Sequence, residues 1–213
     1  MRPVRRLAPL ATAVLLALSL GASAASADAL RQAGAPVAVP FVLNASSTNV
    51  VFNGVFANPV TCANASMRSE ITSNNVVGAP ATGDLTGWSF VNCSTAGGVF
   101  CSVIANNLPW VGAVSLEAGP PKTYSASFPA TGSLTITCFP MAGATTCTYL
   151  GAVAAPPNSV QGLWTDSVPG GPARVAFVNS PLLRIAPSAA VCGMNATYSG
   201  TFFTALNNFT LTV

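Results

Sequence analysis

The stretch from Trp88 to Trp110 constrains this chain more than any other. It reads as two extended arms, Trp88–Cys93 and Cys101–Trp110, joined through Gly97-Gly98. Paired glycines supply the positive φ angles that a tight hairpin turn needs. Cys93 and Cys101 stand equally far from Gly97, so antiparallel pairing sets them opposite one another. That is the spacing a cross-strand disulfide requires. The hairpin therefore predicts β structure and an oxidising compartment, and it leaves function open.

The beginning of the chain predicts the same compartment. Arg2, Arg5 and Arg6 precede an apolar run from Leu7 to Leu20, and small residues lead to Ala25-Ser26-Ala27. A basic start, an apolar middle and an Ala-x-Ala end make a secretory signal over 1–27, cut after Ala27 or, as second choice, Ala29. The apolar run is shorter than the ~20 residues a membrane helix needs. The formal charge of the whole chain is +3, and three of its eight basic residues leave with the signal. Arg31, Arg68, Lys122, Arg174 and Arg184 then face Asp28, Glu70, Asp84, Glu117 and Asp166, which sum to zero. A neutral chain with scattered charges has no basic patch for nucleic acid. Low repulsion between copies makes self-association a live expectation.

Charged residues are 6% of the chain, against a usual ~25%. No mature segment is apolar for long enough to span a bilayer as a helix, so no transmembrane segment is expected. The composition is also the reverse of disorder, which combines low hydrophobicity with high net charge. Ser, Thr, Asn and Gly must supply the polar surface. Six cysteines in an exported chain read as three disulfides among fifteen possible pairings. The short loops favour Cys93–Cys101 and Cys138–Cys147, which leaves Cys62–Cys192.

Along the chain, Asp28–Ala35 reads as a flexible leader and 36–213 as a single folded domain. Val37–Leu43 looks like a first strand, held to a sheet edge by Pro40. Leu134, Ile136 and Cys138 alternate with Thr135 and Thr137, which is the strand period of two. Phe209, Leu211 and Val213 alternate in the same way, so the last residues read as a paired strand. Phe90-Val91-Asn92 is echoed by Phe177-Val178-Asn179, too short a match to define a repeat. Many short strands between Gly/Pro turns predict an all-β protein. The expected architecture is a disulfide-stapled antiparallel β-sandwich, Ig-like or jelly-roll-like. Two smaller sandwiches joined near Pro156-Pro157 are the alternative.

The chain contains no histidine. That removes Ser-His-Asp and Cys-His catalysis and histidine-bound metals. No catalytic residue, metal or cofactor is expected. The residual enzyme case is a carboxylate pair for glycoside hydrolysis drawn from Asp84, Glu117 and Asp166. Trp110 and Trp164 are candidate binding platforms for a sugar or an apolar ligand, although a tryptophan in a β fold more often packs the core. Five Asn-x-Ser/Thr triplets start at Asn44, Asn64, Asn92, Asn195 and Asn208, a frequency that so much Asn, Ser and Thr accounts for.

Asn107-Leu108-Pro109-Trp110, with Cys93 and Cys101 upstream and Cys192 followed by Asn195-Ala-Thr-Tyr-Ser-Gly-Thr, resembles a group of small secreted actinobacterial proteins. More distantly it is similar to PraB-like surface proteins, linked to biofilm and alkane oxidation. The resemblance implies an exported, disulfide-bonded β protein at the cell surface and carries no catalytic residues across. The expected function is thus non-enzymatic, structural or adhesive, working through strand edges and Ser/Thr/Asn faces. The expected partners are a cell-envelope component or a second copy. Without a sorting signal or an early lipid-bearing cysteine, attachment is expected to be noncovalent.

Overall fold

The computed structural model describes residues 27–140, 143–153 and 157–213. The expected export signal, apart from Ala27, lies outside the described residues. Among the described residues there are fifteen strands and no helix. They are β1 (Ala27–Gln32), β2 (Ala35–Pro36), β3 (Phe41–Asn53), β4 (Val60–Ser73), β5 (Val76–Val77), β6 (Ala81–Thr95), β7 (Phe100–Asn106) and β8 (Trp110–Glu117). There follow β9 (Thr123–Ser127), β10 (Ser133–Cys138), β11 (Thr145–Gly151), β12 (Ser159–Thr165), β13 (Pro172–Ile185), β14 (Asn195–Asn207) and β15 (Phe209–Thr212).

The main sheet does not form a sandwich. It closes into an eight-stranded antiparallel β-barrel. Five long strands, in the order β6-β4-β3-β14-β13, make a shared wall. At one level β12, β9 and β8 complete the ring, because β8 returns to pair with β6 (Gly83 opposite Val114). At the other level β11, β10 and β7 complete it, because β11 pairs with β13 (Leu150 opposite Leu183). Strands from both sides of residues 154–156 lie in this one sheet. Alternation within a strand is identical in a sandwich and in a barrel. What decides between them is the two return pairings, and no local pattern encodes those.

The echoed Phe-Val-Asn segments mark the places where the long strands change partners. β6 pairs with β8 through Leu85 and with β7 from Ser89, and the register shifts between Ser89 and Cys93. β13 pairs with β12 through Ala176 and with β11 from Leu182, and its register with β14 shifts between Phe177 and Ser180. Asn92 (φ 55°) and Asn179 (φ 49°) occupy the left-handed region at these two shifts. Asparagine tolerates that conformation better than other non-glycine residues. An irregularity of this kind bends a strand and frees its next segment for a new neighbour.

Side chains alternate between a packed interior and a polar exterior. On β4, Cys62, Ala65, Met67 and Ile71 point inward, while Asn64, Ser66 and Arg68 point out. Phe52, Trp88, Tyr124, Phe177, Tyr198 and Phe202 fill the barrel, as expected where eight strands leave room only for side chains. Pro40 precedes β3, which lies inside the wall between β4 and β14, so the edge position inferred from that proline is not taken up.

The expected flexible leader, Asp28–Ala35, is instead part of a second, small sheet. β1 pairs with β15 on one side and with β2 and β5 on the other. Leu30, Phe209 and Leu211 are buried beneath this cap. One leucine between Ala29 and Arg31 is too brief to announce a strand, and β1 gains its apolar surface only from β15, about 180 residues away. Asn74 holds β1: its amide nitrogen donates to the carbonyls of Leu30 (3.0 Å) and Val37 (2.9 Å), and its oxygen accepts from the Leu30 N–H (2.8 Å).

All six described cysteines are paired, but not as the short loops suggest. The bonds are Cys62–Cys93, Cys101–Cys138 and Cys147–Cys192. Cys93–Cys101, Cys138–Cys147 and Cys62–Cys192 are therefore all replaced. Cys62, Cys93, Cys101 and Cys138 form one row across β4, β6, β7 and β10, so Cys93 does stand opposite Cys101. The sheet's hydrogen-bond alternation selects the bonds. In an antiparallel sheet a residue's N–H and C=O both point to one neighbouring strand. Thr95 N–H donates to Val99 O (2.9 Å), two residues along from the pair, so Cys93 and Cys101 form a hydrogen-bonded pair, with Cα atoms typically ~5.5 Å apart. Cys62/Cys93 and Cys101/Cys138 are then the closer, non-hydrogen-bonded pairs, with Cα atoms 3.9 and 4.1 Å apart. Each of these four cysteines bonds across its non-hydrogen-bonded pair.

Candidate functional site

The residues singled out from sequence take structural positions. Trp110 is fully buried; its indole N–H donates to Asn106 O (2.8 Å) and its ring packs on Phe128 at 4.5 Å between centroids. Trp164 is 4% exposed and its N–H donates to Asp166 (2.9 Å). Neither presents a ring face to solvent, so neither is a surface platform. In a barrel this narrow the largest rings fill the interior.

Asp84 and Glu117 lie apart, and Asp166 is taken up by partners of its own. Asp84 accepts from the Gly112 N–H (2.7 Å), and Glu117 lies five residues further along β8, about 16 Å at the rise of a strand. Asp166 pairs with Lys122 through one oxygen and accepts from the N–H groups of Trp164 (2.9 Å) and Leu211 (2.8 Å) through the other. It fastens β15 and thus the cap. The structure instead sets Glu70 opposite Asp84 on β4 and β6, a neighbourhood that sequence separation concealed.

The tyrosines titrate as buried structural groups. Burial pushes the Tyr124 hydroxyl up to about 12, partly offset by its hydrogen bond with the Ser69 hydroxyl (2.9 Å). Burial also pushes Tyr149 up to about 12, partly offset by Arg184. Tyr198 is raised by burial as well. Its hydroxyl lies beside the Trp88 indole N–H, whose ring is perpendicular to it at 5.5 Å, without good hydrogen-bond geometry.

The surface feature with the most consistent chemistry is the outer face of the long wall. Three rows cross it at right angles to the strands. Phe203, Ser46, Ser66 and Ser89 stand side by side on β14, β3, β4 and β6. Asn44, Arg68 and Gly87 form the row on one side, and Thr48, Asn64 and Val91 the row on the other. The Ser66 and Ser89 hydroxyls share a hydrogen bond of 2.7 Å. Two shallow hollows, of about 330 and 460 Å³, lie over these rows and share Ser46, Ser66 and Ser89. Gly87 lines the second hollow beside Arg68. Alternation predicted hydroxyls on strand faces, but their alignment into rows depends on register between distant strands.

A second, different surface lies at the disulfide-bonded end. Phe100 and Phe139 stack there at 5.9 Å, both about half exposed. Beside them Phe56, Val99, Pro140 and Val191 line an apolar hollow of about 190 Å³.

No family model, no curated protein and no solved structure matches the chain. Function must therefore be read from the chain's own surfaces. Among the described residues no helix is long and apolar enough to cross a membrane, and no cluster of His, Cys, Asp or Glu is suited to a metal ion. Three disulfides within one chain are typical of proteins from oxidising or extracellular compartments.

Proposed function

We propose that this is an exported, non-enzymatic protein of the cell surface that binds an envelope component through the outer wall of β3, β4, β6 and β14. The observation that carries this reading is the pair of contiguous hollows over Ser46, Ser66 and Ser89. Rows of hydroxyls and amides on a rigid wall bind without reorganising, which lowers the entropic cost of association. The resemblance to PraB-like surface proteins implies the same location. Strand edges are left to the small cap sheet, because both ends of the main sheet are paired and closure removes its edges. Self-association draws on the near-zero mature charge.

The test is co-sedimentation of the mature protein with envelope from the producing cells. Ser66→Trp fills the shared part of both hollows from an exposed site and is expected to abolish retention. Leu163→Ser, on exposed β12 across the barrel, is expected to retain it. Equal retention of both variants contradicts the assignment to this wall.

A further inference from the structure

We infer that the occupant of this wall is a neutral polysaccharide chain, lying across the strands with Phe203 as its stacking platform; this rests on the surface-binding reading above. Phe203 is 45% exposed and stands at the end of the serine row, so one ring face can meet the apolar face of a sugar. Along the rows a sugar's hydroxyls would meet groups that both donate and accept: Ser46, Ser66, Ser89, Thr48 and the amides of Asn44 and Asn64. An apolar chain would leave those groups desolvated and unpaired.

Charge decides against an acidic polymer. Arg68 is the single charged side chain lining either hollow. The next row along β4 and β6 carries Glu70 and Asp84, opposite each other. One cation beside two carboxylates repels a polyanion and leaves Arg68 as a hydrogen-bond donor to hydroxyl oxygens. Each hollow crosses the four strands and the two adjoin along the serine row, so the row from Phe203 to Ser89 is flanked on both sides by open, polar surface that suits linked sugars better than one isolated ring. Their openness suits binding along a chain and not enclosure of its end.

The experiment measures retention of the full mature protein on insoluble β-glucan, chitin and yeast mannan, with alginate gel and hexadecane droplets as competing surfaces. Retention on at least one neutral glycan is expected, unchanged between 0.05 and 0.5 M salt (about a 3-fold change in screening length). Phe203→Ala is expected to weaken it about tenfold, the equivalent of about 1.4 kcal/mol. Leu163→Ser is expected to leave it unchanged, and both variants should keep the parent's circular dichroism. Retention only on alginate and lost with salt, retention only on hexadecane, or equal retention of Phe203→Ala overturns the assignment. If Ser66→Trp abolishes envelope binding while no neutral glycan retains the protein, the polysaccharide assignment fails and the surface reading stands. If Ser66→Trp leaves envelope binding intact, the surface reading itself fails.

Discussion

The two ends of the barrel are closed by different means. At one end β1, β2, β5 and β15 form a cap held by hydrogen bonds and by the burial of Leu30, Phe209 and Leu211. At the other end three disulfides tie β4 to β6, β7 to β10, and β11 to the segment before β14. The capped end buries Leu30, Phe209 and Leu211 and leaves the two valines of β5 exposed, whereas the stapled end leaves the larger Phe100 and Phe139, with Val191, in solvent. Covalent bonds hold their strands whether or not apolar surface is buried, so the stapled end can do without a lid. The capped end has no such bond and depends on packing together with polar anchors, among them Asn74 on β1 and Asp166 on β15.

The largest effect expected is on the stapled end. Its loops close over 31, 37 and 45 residues, which the chain-entropy model values at about 4 kcal/mol each. Full reduction should therefore unfold the protein at ambient temperature, as read by loss of its β-type circular dichroism. A reduced protein that keeps that spectrum would move the source of stability to the barrel wall.

High pH should come next. Tyr124, Tyr149 and Tyr198 all have folded values raised above the ordinary tyrosine value of 10. The folded state then holds protons that the unfolded state has released, so the stability these groups contribute is complete below pH 10 and is lost as pH rises toward about 12. With no histidine in the chain, stability should stay flat from about pH 6 to 9. Urea unfolding from about pH 6 to 12 checks both limbs. The small cap sheet contains no tyrosine, so alkali should attack the barrel before the cap.

The capped end is tested by its anchors. Asp166→Ala leaves the N–H groups of Trp164 and Leu211 without their acceptor and should cost about 2–3 kcal/mol. Asp166→Asn keeps an acceptor oxygen and loses an ion pair that is about a third exposed, so it should cost less than ~1 kcal/mol. Equal costs would assign Asp166's role to charge and not to capping. The smallest effect expected is Phe139→Ser, which touches only the exposed stack and should change stability by less than ~0.5 kcal/mol.

The contrast between the ends also separates what could be read from sequence from what could not. The hairpin around Gly98, the opposition of Cys93 and Cys101 and the alternation of β10 are local, so spacing carries them. The choice of disulfide partner depends on which neighbour each backbone N–H faces, and the spacing of two cysteines does not encode that. The Phe-Val-Asn echo was visible, but its meaning as a change of partner appears only once β7, β8, β11 and β12 are placed. The cap joins residues near Leu30 to residues near Leu211, and its burial belongs to neither segment alone. The polar outer wall is legible in sequence only as a composition of Ser, Thr and Asn. Its rows, its hollows and Phe203 at their margin follow from register across four strands.

Closure of the ring is measured most directly by NMR of the oxidised mature protein, at two pairs of residues. In the barrel, Gly83 faces Val114 and Leu150 faces Leu183, so cross-strand NOEs should join both pairs and the amides of β8 and β11 should exchange slowly. Missing NOEs together with fast exchange along β8 and β11 would mean two free edges and an open sheet.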